Sequence, residues 1–332
     1  MFAAVCPAYG IPEVVRFEEV ARPTAKPRQV RVRVVAAAVT SGDARIRAAR
    51  FPAGFSIVAR MMLGLRKPRQ PILGSAVAGY VDQVGAQVTR FHGGEPVFAF
   101  SGIQQGAHAE YLVLDESAAL APMPENCTPE QAAAIPFGGT TALFFLRDRA
   151  DLQSGETLLV NGASGAVGIA AIQLGKHFGA RVTAVCSSAN RELALALGAD
   201  QVIDYRTVDF RAGGQRWDVI MDNVGNITYG QCKQVLNEGG RFLNVVSSFG
   251  ELLAGPLQSM FGKHKVLGGV APERAQDMAL LRDLTELGVL RPVVDSVYPW
   301  QQIHAAYHRV DTGRKVGSVI LRIMPPEAAP GA

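Results

Sequence analysis

Gly162, Gly165 and Gly168 recur at every third position, after the apolar run Leu158, Leu159 and Val160 and before an uncharged stretch that starts at Ile169. This spacing suits a chain that turns sharply out of a strand and begins a helix against a bulky anion. Glycines make the turn and let a ligand reach the backbone, while the helix start offers free N–H groups and the positive end of a dipole. The chemistry is therefore diphosphate binding by backbone amides; an ordinary tight strand-to-helix turn is the rival reading. Gly179 and a second strand at 181–185 extend the pattern into a strand–turn–helix–strand unit of the kind that holds a dinucleotide.

Such a loop needs a sheet to carry it. From 157 onward, short β-branched strands at 157–160, 181–185, 201–203, 219–222, 241–245 and 266–269 alternate with helical segments, the clearest at 166–178 and 190–197. Alternation of this kind predicts a parallel sheet with right-handed crossovers, and six strands make a full doubly wound, or Rossmann, fold. The first third reads as β-structure. Val30, Arg31, Val32, Arg33 and Val34 alternate as a strand with one solvated face would, and 77–84, 95–100 and 109–114 are further strands. A helix over 130–145 is expected to break near Pro136, Phe137, Gly138 and Gly139. After Pro272, a helix at 273–287, a strand at 293–298, a helix near 301–310 and a strand at 318–323 return most economically to the first β-rich unit. The expected class is α/β: a β-rich domain from 1–125 and 272–324, a six-stranded nucleotide-binding domain at 126–271, and a disordered tail at 325–332.

Composition narrows the function classes. The 332 residues are 48% hydrophobic and 19% charged, as in a globular protein with ample core. A net charge of +4 without a basic stripe interleaved with aromatics argues against nucleic acid as the main partner. Cys6, Cys127, Cys186 and Cys232 lie far apart, which predicts free thiols, a reducing compartment and a cytoplasmic location, and no secretory leader is expected after Met1. The uncharged stretch 157–175 is long enough to suggest a membrane span. It contains Asn161, Ser164, Gln173 and four glycines, so strand, turn and helix fit it better.

Several further segments occur in a telling order: Val39-Thr40-Ser41-Gly42-Asp43, the glycine-bounded 74–84, Gly106-Ala107-His108-Ala109-Glu110-Tyr111, Thr140-Thr141-Ala142, the glycine loop, Gly198-Ala199-Asp200 with Val202-Ile203-Asp204-Tyr205, and Asp222-Asn223-Val224-Gly225. Together they resemble the landmarks of the zinc-independent, quinone-oxidoreductase-like branch of the medium-chain dehydrogenase/reductase superfamily, over roughly residues 1–323. The resemblance implies a GroES-like catalytic domain joined to the Rossmann domain. In the zinc-dependent branch the metal ligands fall at positions matching Thr40, Ser75-Ala76 and Phe137, none of which is a ligand of the needed softness, so no metal is expected.

The same resemblance assigns cofactor contacts. Backbone amides of Ala166 and Val167 would meet the diphosphate, Thr141 the nicotinamide ribose and phosphate, Asn223 the adenosine end, and Val246 and Ser247 the nicotinamide. The second strand ends in Cys186, Ser187, Ser188, Ala189, Asn190 and Arg191, with no acid before Glu192. A carboxylate there would grip ribose hydroxyls and repel a phosphate, whereas Ser187, Ser188 and Arg191 can donate to a 2′-phosphate, with Tyr205 lining the same pocket. NADPH is therefore the expected cofactor, and helix capping by the two serines is compatible with it.

Without a Lewis acid, the resemblance implies hydride delivery to a small lipophilic quinone or α,β-unsaturated carbonyl. Thr40 and Ser41 are the candidate oxyanion donors, with turn-stabilising hydroxyls as the rival, and Arg45, Phe51 and Phe137 would line the substrate pocket. Aromatic hydroxyls common in this loop are replaced by Arg45 and Phe51, and the family's acidic position is Ala76. Two alternatives stay open: an enoyl-thioester reductase of a biosynthetic pathway, and a non-catalytic NADPH-binding sensor or adaptor. Arg45, Arg47 and Arg50 would meet an acidic thioester or form a solvated helix face. The stretch 52–71 would be a lipophilic wall or lid, with partner or membrane-surface contact and plain core packing as the rival readings, and 266–269 the edge of a homodimer.

Overall fold

The computed structural model describes residues 1–51, 56–246 and 263–324. Ser247, the tail 325–332 and residues 52–55 of the expected lid lie outside the described residues. Two strands that alternation does not reveal, β1 (Phe2–Val5) and β2 (Arg16–Glu19), pair antiparallel at the start of the chain. The long β3 (Gln29–Val39) follows, then β4 (Ala76–Val84), β5 (Pro96–Phe100), β6 (Tyr111–Asp115) and β7 (Leu120–Pro122). The C-terminal strands β14 (Val294–Pro299) and β15 (Ser318–Arg322) complete a seven-stranded sheet in the order β14-β15-β3-β4-β5-β7, with β6 also on β3. The chain's last strand thus pairs with its first long one, Val319 opposite Val39.

β3 is flanked by β4, β6 and β15, which changes the fate of its basic side chains. Arg31 reaches Asp82 at 2.6 Å. Arg33 is 6% exposed and lies with its guanidinium 5.6 Å from the Tyr80 ring centre, so the expected solvated face is corrected to a covered one.

The second sheet is parallel throughout: β8 (Thr157–Asn161), β9 (Arg181–Cys186), β10 (Gln201–Asp204), β11 (Trp217–Asp222), β12 (Leu236–Asn244) and β13 (Lys265–Gly268), in the order β10-β9-β8-β11-β12-β13. The order reverses between β8 and β11, where a doubly wound sheet opens its ligand crevice. Asn161 and Asp222 stand opposite each other at the carboxyl ends of those two strands.

Helices Pro129–Ala133 and Pro136–Leu143 join the two sheets. The expected break falls earlier than 136–139, because Pro136 opens the second helix, where a missing N–H costs nothing. Gly138 and Gly139 sit inside that helix. A Cβ at Gly138 would stand 2.4 Å from the Ala166 carbonyl oxygen, so bare residues let this helix press against Ala166–His177. One apolar cluster runs from Ala36, Phe98 and Ile320 through Leu143 and Leu146 to Leu158, Ile169 and Leu281, and so ties both sheets into a shared core. Among the described residues no helix is long and apolar enough to cross a membrane.

Candidate active site

The glycine loop stands at the carboxyl end of β8. Gly162 adopts φ of 73°, open to glycine without strain, and a Cβ on Gly168 would lie 2.2 Å from the Gly162 carbonyl oxygen. Gly165 occupies the N-cap of helix Ala166–His177 with no side-chain cap, so the amides of Ala166, Val167 and Gly168 are left for an anion. Asp222 fastens the neighbouring turn. Its buried carboxylate accepts from Asn161 Nδ2 at 2.8 Å, from the Val224 amide at 3.0 Å and from the Gly225 amide at 3.1 Å. Burial pushes this carboxyl up, and those donors pull it back. Asn223 donates to the Asn161 carbonyl at 3.0 Å, while its Oδ1 is buried without a partner among the described residues, an orphan acceptor that a ligand hydroxyl can satisfy. Val246 packs beside Gly225, whose Cβ position lies 3.2 Å from it.

A cleft of about 540 Å³ opens against this loop. Ser187 and Tyr205 line it, and so do three cations: Arg206, Arg314 and Lys315. Among the described residues the lining contains no carboxylate. Two expected donors, Ser188 and Arg191, are not on its wall. Arg191 donates to the Val202 carbonyl at 3.2 Å, and the Ser188 amide donates to Asp204 at 3.0 Å. Asp204, at the end of β10, also accepts from the Arg206 amide at 2.9 Å and is not part of the cleft lining.

Arg314 and Lys315 come from the far end of the chain. The Gly317 amide donates to the Ser164 carbonyl at 2.9 Å, bridging the C-terminal strand to the glycine loop. Lys315 Nζ donates to the Gly317 carbonyl at 2.6 Å. Burial pushes this ammonium down to about 8, Asp295 opposes the shift and Arg309 reinforces it. The only sequence signal for these residues is a basic pair between Gly313 and Gly317. A second recess of about 580 Å³, lined by Arg211, Arg216, Lys233 and Lys263, opens at the amino ends of β11, β12 and β13, away from the crevice of such a sheet.

The expected acceptor end centres on helix Ser41–Arg47. Thr40 caps it: its hydroxyl donates to Asp43 Oδ2 at 2.7 Å and accepts from the Asp43 amide at 3.1 Å. That hydroxyl is spent on the cap, so its role as oxyanion donor is corrected to a positioning one. Ser41 is half-buried and its hydroxyl is uncommitted among the described residues. A Cβ on Gly42 would lie 3.6 Å from the Phe137 ring, which brings helix Pro136–Leu143 over the helix start. Thr141 donates to the Phe137 carbonyl at 2.7 Å, and Phe51 is half-buried. Of the expected lid, helix Ser56–Leu63 is formed, with Met61 and Met62 exposed.

Beneath the helix lies a buried polar cluster that sequence reading passes over. Asp43 accepts from the Thr40 amide at 2.8 Å and from Ser75 at 3.4 Å; burial raises its carboxyl, opposed by His108. His108 is held below its usual range by burial, opposed by Asp43. Its Nε2 meets the Ala38 carbonyl at 3.0 Å and its Nδ1 meets the Tyr307 hydroxyl at 3.4 Å, which assigns the proton to Nε2. Arg47 is fully buried, bonded to Asp311 at 2.5 Å and to the Gly10 carbonyl at 2.9 Å, so the expected solvated helix face is corrected here too. The residues matching zinc-ligand positions are therefore a capping threonine, a serine bonded to Asp43 and an apolar wall. Among the described residues no three of His, Cys, Asp and Glu cluster as metal ligands.

Residues 26–125 match the family model described as an alcohol dehydrogenase GroES-like domain, and residues 197–321 the one described as a zinc-binding dehydrogenase. The quinone oxidoreductase of Homo sapiens is 30% identical over 328 residues, spanning 94% of this chain and 95% of the human one. The 2-methylene-furan-3-one reductase of Solanum lycopersicum is 33% identical over 329 residues, spanning 96% of this chain and 78% of that one. The solved structure of the quinone oxidoreductase from Coxiella burnetii shares the fold, with a TM-score of 0.86 at 24% identity over 98% of this chain and 99% of that one.

Proposed function

The chain belongs to the quinone-oxidoreductase-like branch of the medium-chain dehydrogenase/reductase superfamily and is an oxidoreductase, and from that premise we propose an NADPH-dependent reductase that passes a hydride to a quinone or an α,β-unsaturated carbonyl. The observation that carries the cofactor choice is the charge of the cleft. Arg206, Arg314 and Lys315 line it with no carboxylate among them, which favours a 2′-phosphate over a bare ribose. The uncapped helix at Gly165 suits the diphosphate, and the orphan Oδ1 of Asn223 suits a ribose hydroxyl.

When bound, the dihydronicotinamide supplies the hydride. This chain's residues orient and polarise the acceptor. Ser41 donates to the acceptor oxygen as negative charge gathers on it, and Phe137 forms an apolar wall beside it. Thr40 and Asp43 hold the helix start so that Ser41 keeps its aim. An enone takes the hydride at its β-carbon, the π electrons move to the carbonyl oxygen, and a proton from water ends on the α-carbon, so no protein acid is required.

The test is anaerobic mixing with NADPH or NADH and a panel of quinones, enones and alcohols. NADPH oxidation by quinones or enones, with kcat/KM for NADPH at least tenfold above NADH, supports the reading. Failure of every quinone and enone to oxidise either nucleotide overturns it. β13 ends the strand order, and we propose that two copies pair along it, which light scattering on the eluted protein decides. The four cysteines are free thiols, in keeping with a reducing cytoplasm, which cell fractionation tests.

A further inference from the structure

Three arginines stand on or just beyond helix Ser41–Arg47, and their partners set them apart. Arg47 and Arg50 share Asp311, at 2.5 and 2.6 Å. Arg45 is half-buried, and among the described residues its guanidinium has no acidic partner, no hydrogen bond and no aromatic ring beneath it. Burial and the nearby Arg50 both disfavour its charge. A cation held this way is costly to keep unless something else brings the anion.

Helical spacing shows which way it faces. Asp43, Ala44 and Arg47 are the buried, core-facing positions of this helix. Ser41 and Arg45, four residues apart, share the opposite face, and Gly42 beside them approaches the Phe137 ring. The uncompensated guanidinium therefore stands on the face that carries the uncommitted Ser41 hydroxyl and adjoins the apolar wall.

We infer that Arg45 binds an oxyanion of the acceptor, so that the preferred substrate is an anionic α,β-unsaturated carbonyl compound rather than a neutral quinone. This rests on the reductase reading above. The oxyanion has two chemical sources, a carboxylate on the enone itself or a phosphate on the carrier of an enoyl thioester. Guanidinium recognises either with two parallel N–H donors. The hydride goes to the β-carbon and the proton to the α-carbon as before; the anion is held and takes no part in bond making.

The experiment compares two matched pairs with NADPH: trans-4-oxo-2-pentenoate against its methyl ester, and crotonyl-CoA against the neutral N-acetylcysteamine thioester of crotonate. The inference expects kcat/KM for the charged member of one pair to exceed that of its neutral mate at least tenfold, and the pair that responds identifies the source. Arg45→Gln is expected to collapse the ratio toward one, Arg45→Lys to restore part of it, and Arg50→Gln to keep it. A ratio equal in the wild type and in Arg45→Gln for both pairs overturns the inference. Should neither pair oxidise NADPH while a quinone or neutral enone does, the inference is overturned and the reductase reading stands; should no acceptor of either panel oxidise it, the reductase reading fails on its own, and calorimetry of 4-oxopentanoate and of free CoA in the presence of NADP+ then judges Arg45. Binding weakened at least fivefold in Arg45→Gln upholds the assignment, and equal affinity or no binding in both proteins overturns it.

Discussion

The Gly317 amide donates to the Ser164 carbonyl at 2.9 Å, and this one bond sets the C-terminal strand of the β-rich unit against the loop that receives the diphosphate. Gly317 has φ of 76°, and a Cβ there would lie 2.1 Å from the Val293 carbonyl oxygen. Gly317→Ala is expected to lower unfolding free energy by about 1–3 kcal/mol. Moving Arg314 and Lys315 off the cleft, it also weakens NADPH binding at least tenfold. Urea denaturation and fluorescence titration with NADPH measure the two effects.

Arg314→Ala and Arg206→Ala should each weaken NADPH binding by roughly tenfold, the order expected from losing one partly exposed charge-assisted contact. NADH binding changes far less in both variants, because it brings no 2′-phosphate. Titration of each variant with both nucleotides gives the ratio, and equal losses for the two would count against the 2′-phosphate pocket.

Lys315 makes the affinity depend on pH. Its ammonium is pushed down to about 8, so below that pH it is charged and adds its attraction to a bound phosphate. As pH rises through 8 the proton is lost and the attraction goes with it, and NADPH affinity should therefore fall between roughly pH 7 and 9. Lys315→Gln is expected to bind more weakly at pH 7 and to show a flatter profile over that range, read by calorimetry at several pH values.

Arg47 is fully buried and depends on Asp311 for its counter-charge. Asp311→Asn leaves that guanidinium without an anion and should cost about 3–5 kcal/mol of stability. Removing the exposed partner in Arg50→Ala should cost about 1 kcal/mol or less. Chemical denaturation of the two variants distinguishes a buried from a surface ion pair.

Ser41→Ala should lower kcat by about a hundredfold if its hydroxyl meets the developing oxyanion. Nucleotide affinity, measured separately, should be unchanged. Thr40→Val is expected to act differently, lowering stability through loss of the helix cap by about 1 kcal/mol.

Features with a short physical range were legible along the chain. The three glycines announced their turn because the steric need for a missing Cβ is local, and the structure has Gly162 at positive φ and Gly168 pressed against the loop. Alternating short strands and helices announced a parallel sheet, because burial on both faces imprints an apolar run on each strand. Ser187 was legible near the cleft because it follows the end of the second strand, whereas Tyr205 came only from the family resemblance.

Only the tertiary structure decided which polar groups remain available. Thr40 and Ser41 are adjacent hydroxyls, but the fold commits the first to Asp43 and leaves the second free among the described residues. Arg45, Arg47 and Arg50 are alike in the chain, yet Asp311, contributed by helix Ile303–Asp311, takes two of them and not the third. Arg191, expected at the phosphate, bonds a strand carbonyl and is not on the cleft wall, while Arg314 and Lys315 reach the cleft through the Gly317 contact. A side chain's propensity is written in its neighbours along the chain; the partner that satisfies or abandons its charge arrives from a distant segment, and no local pattern records it.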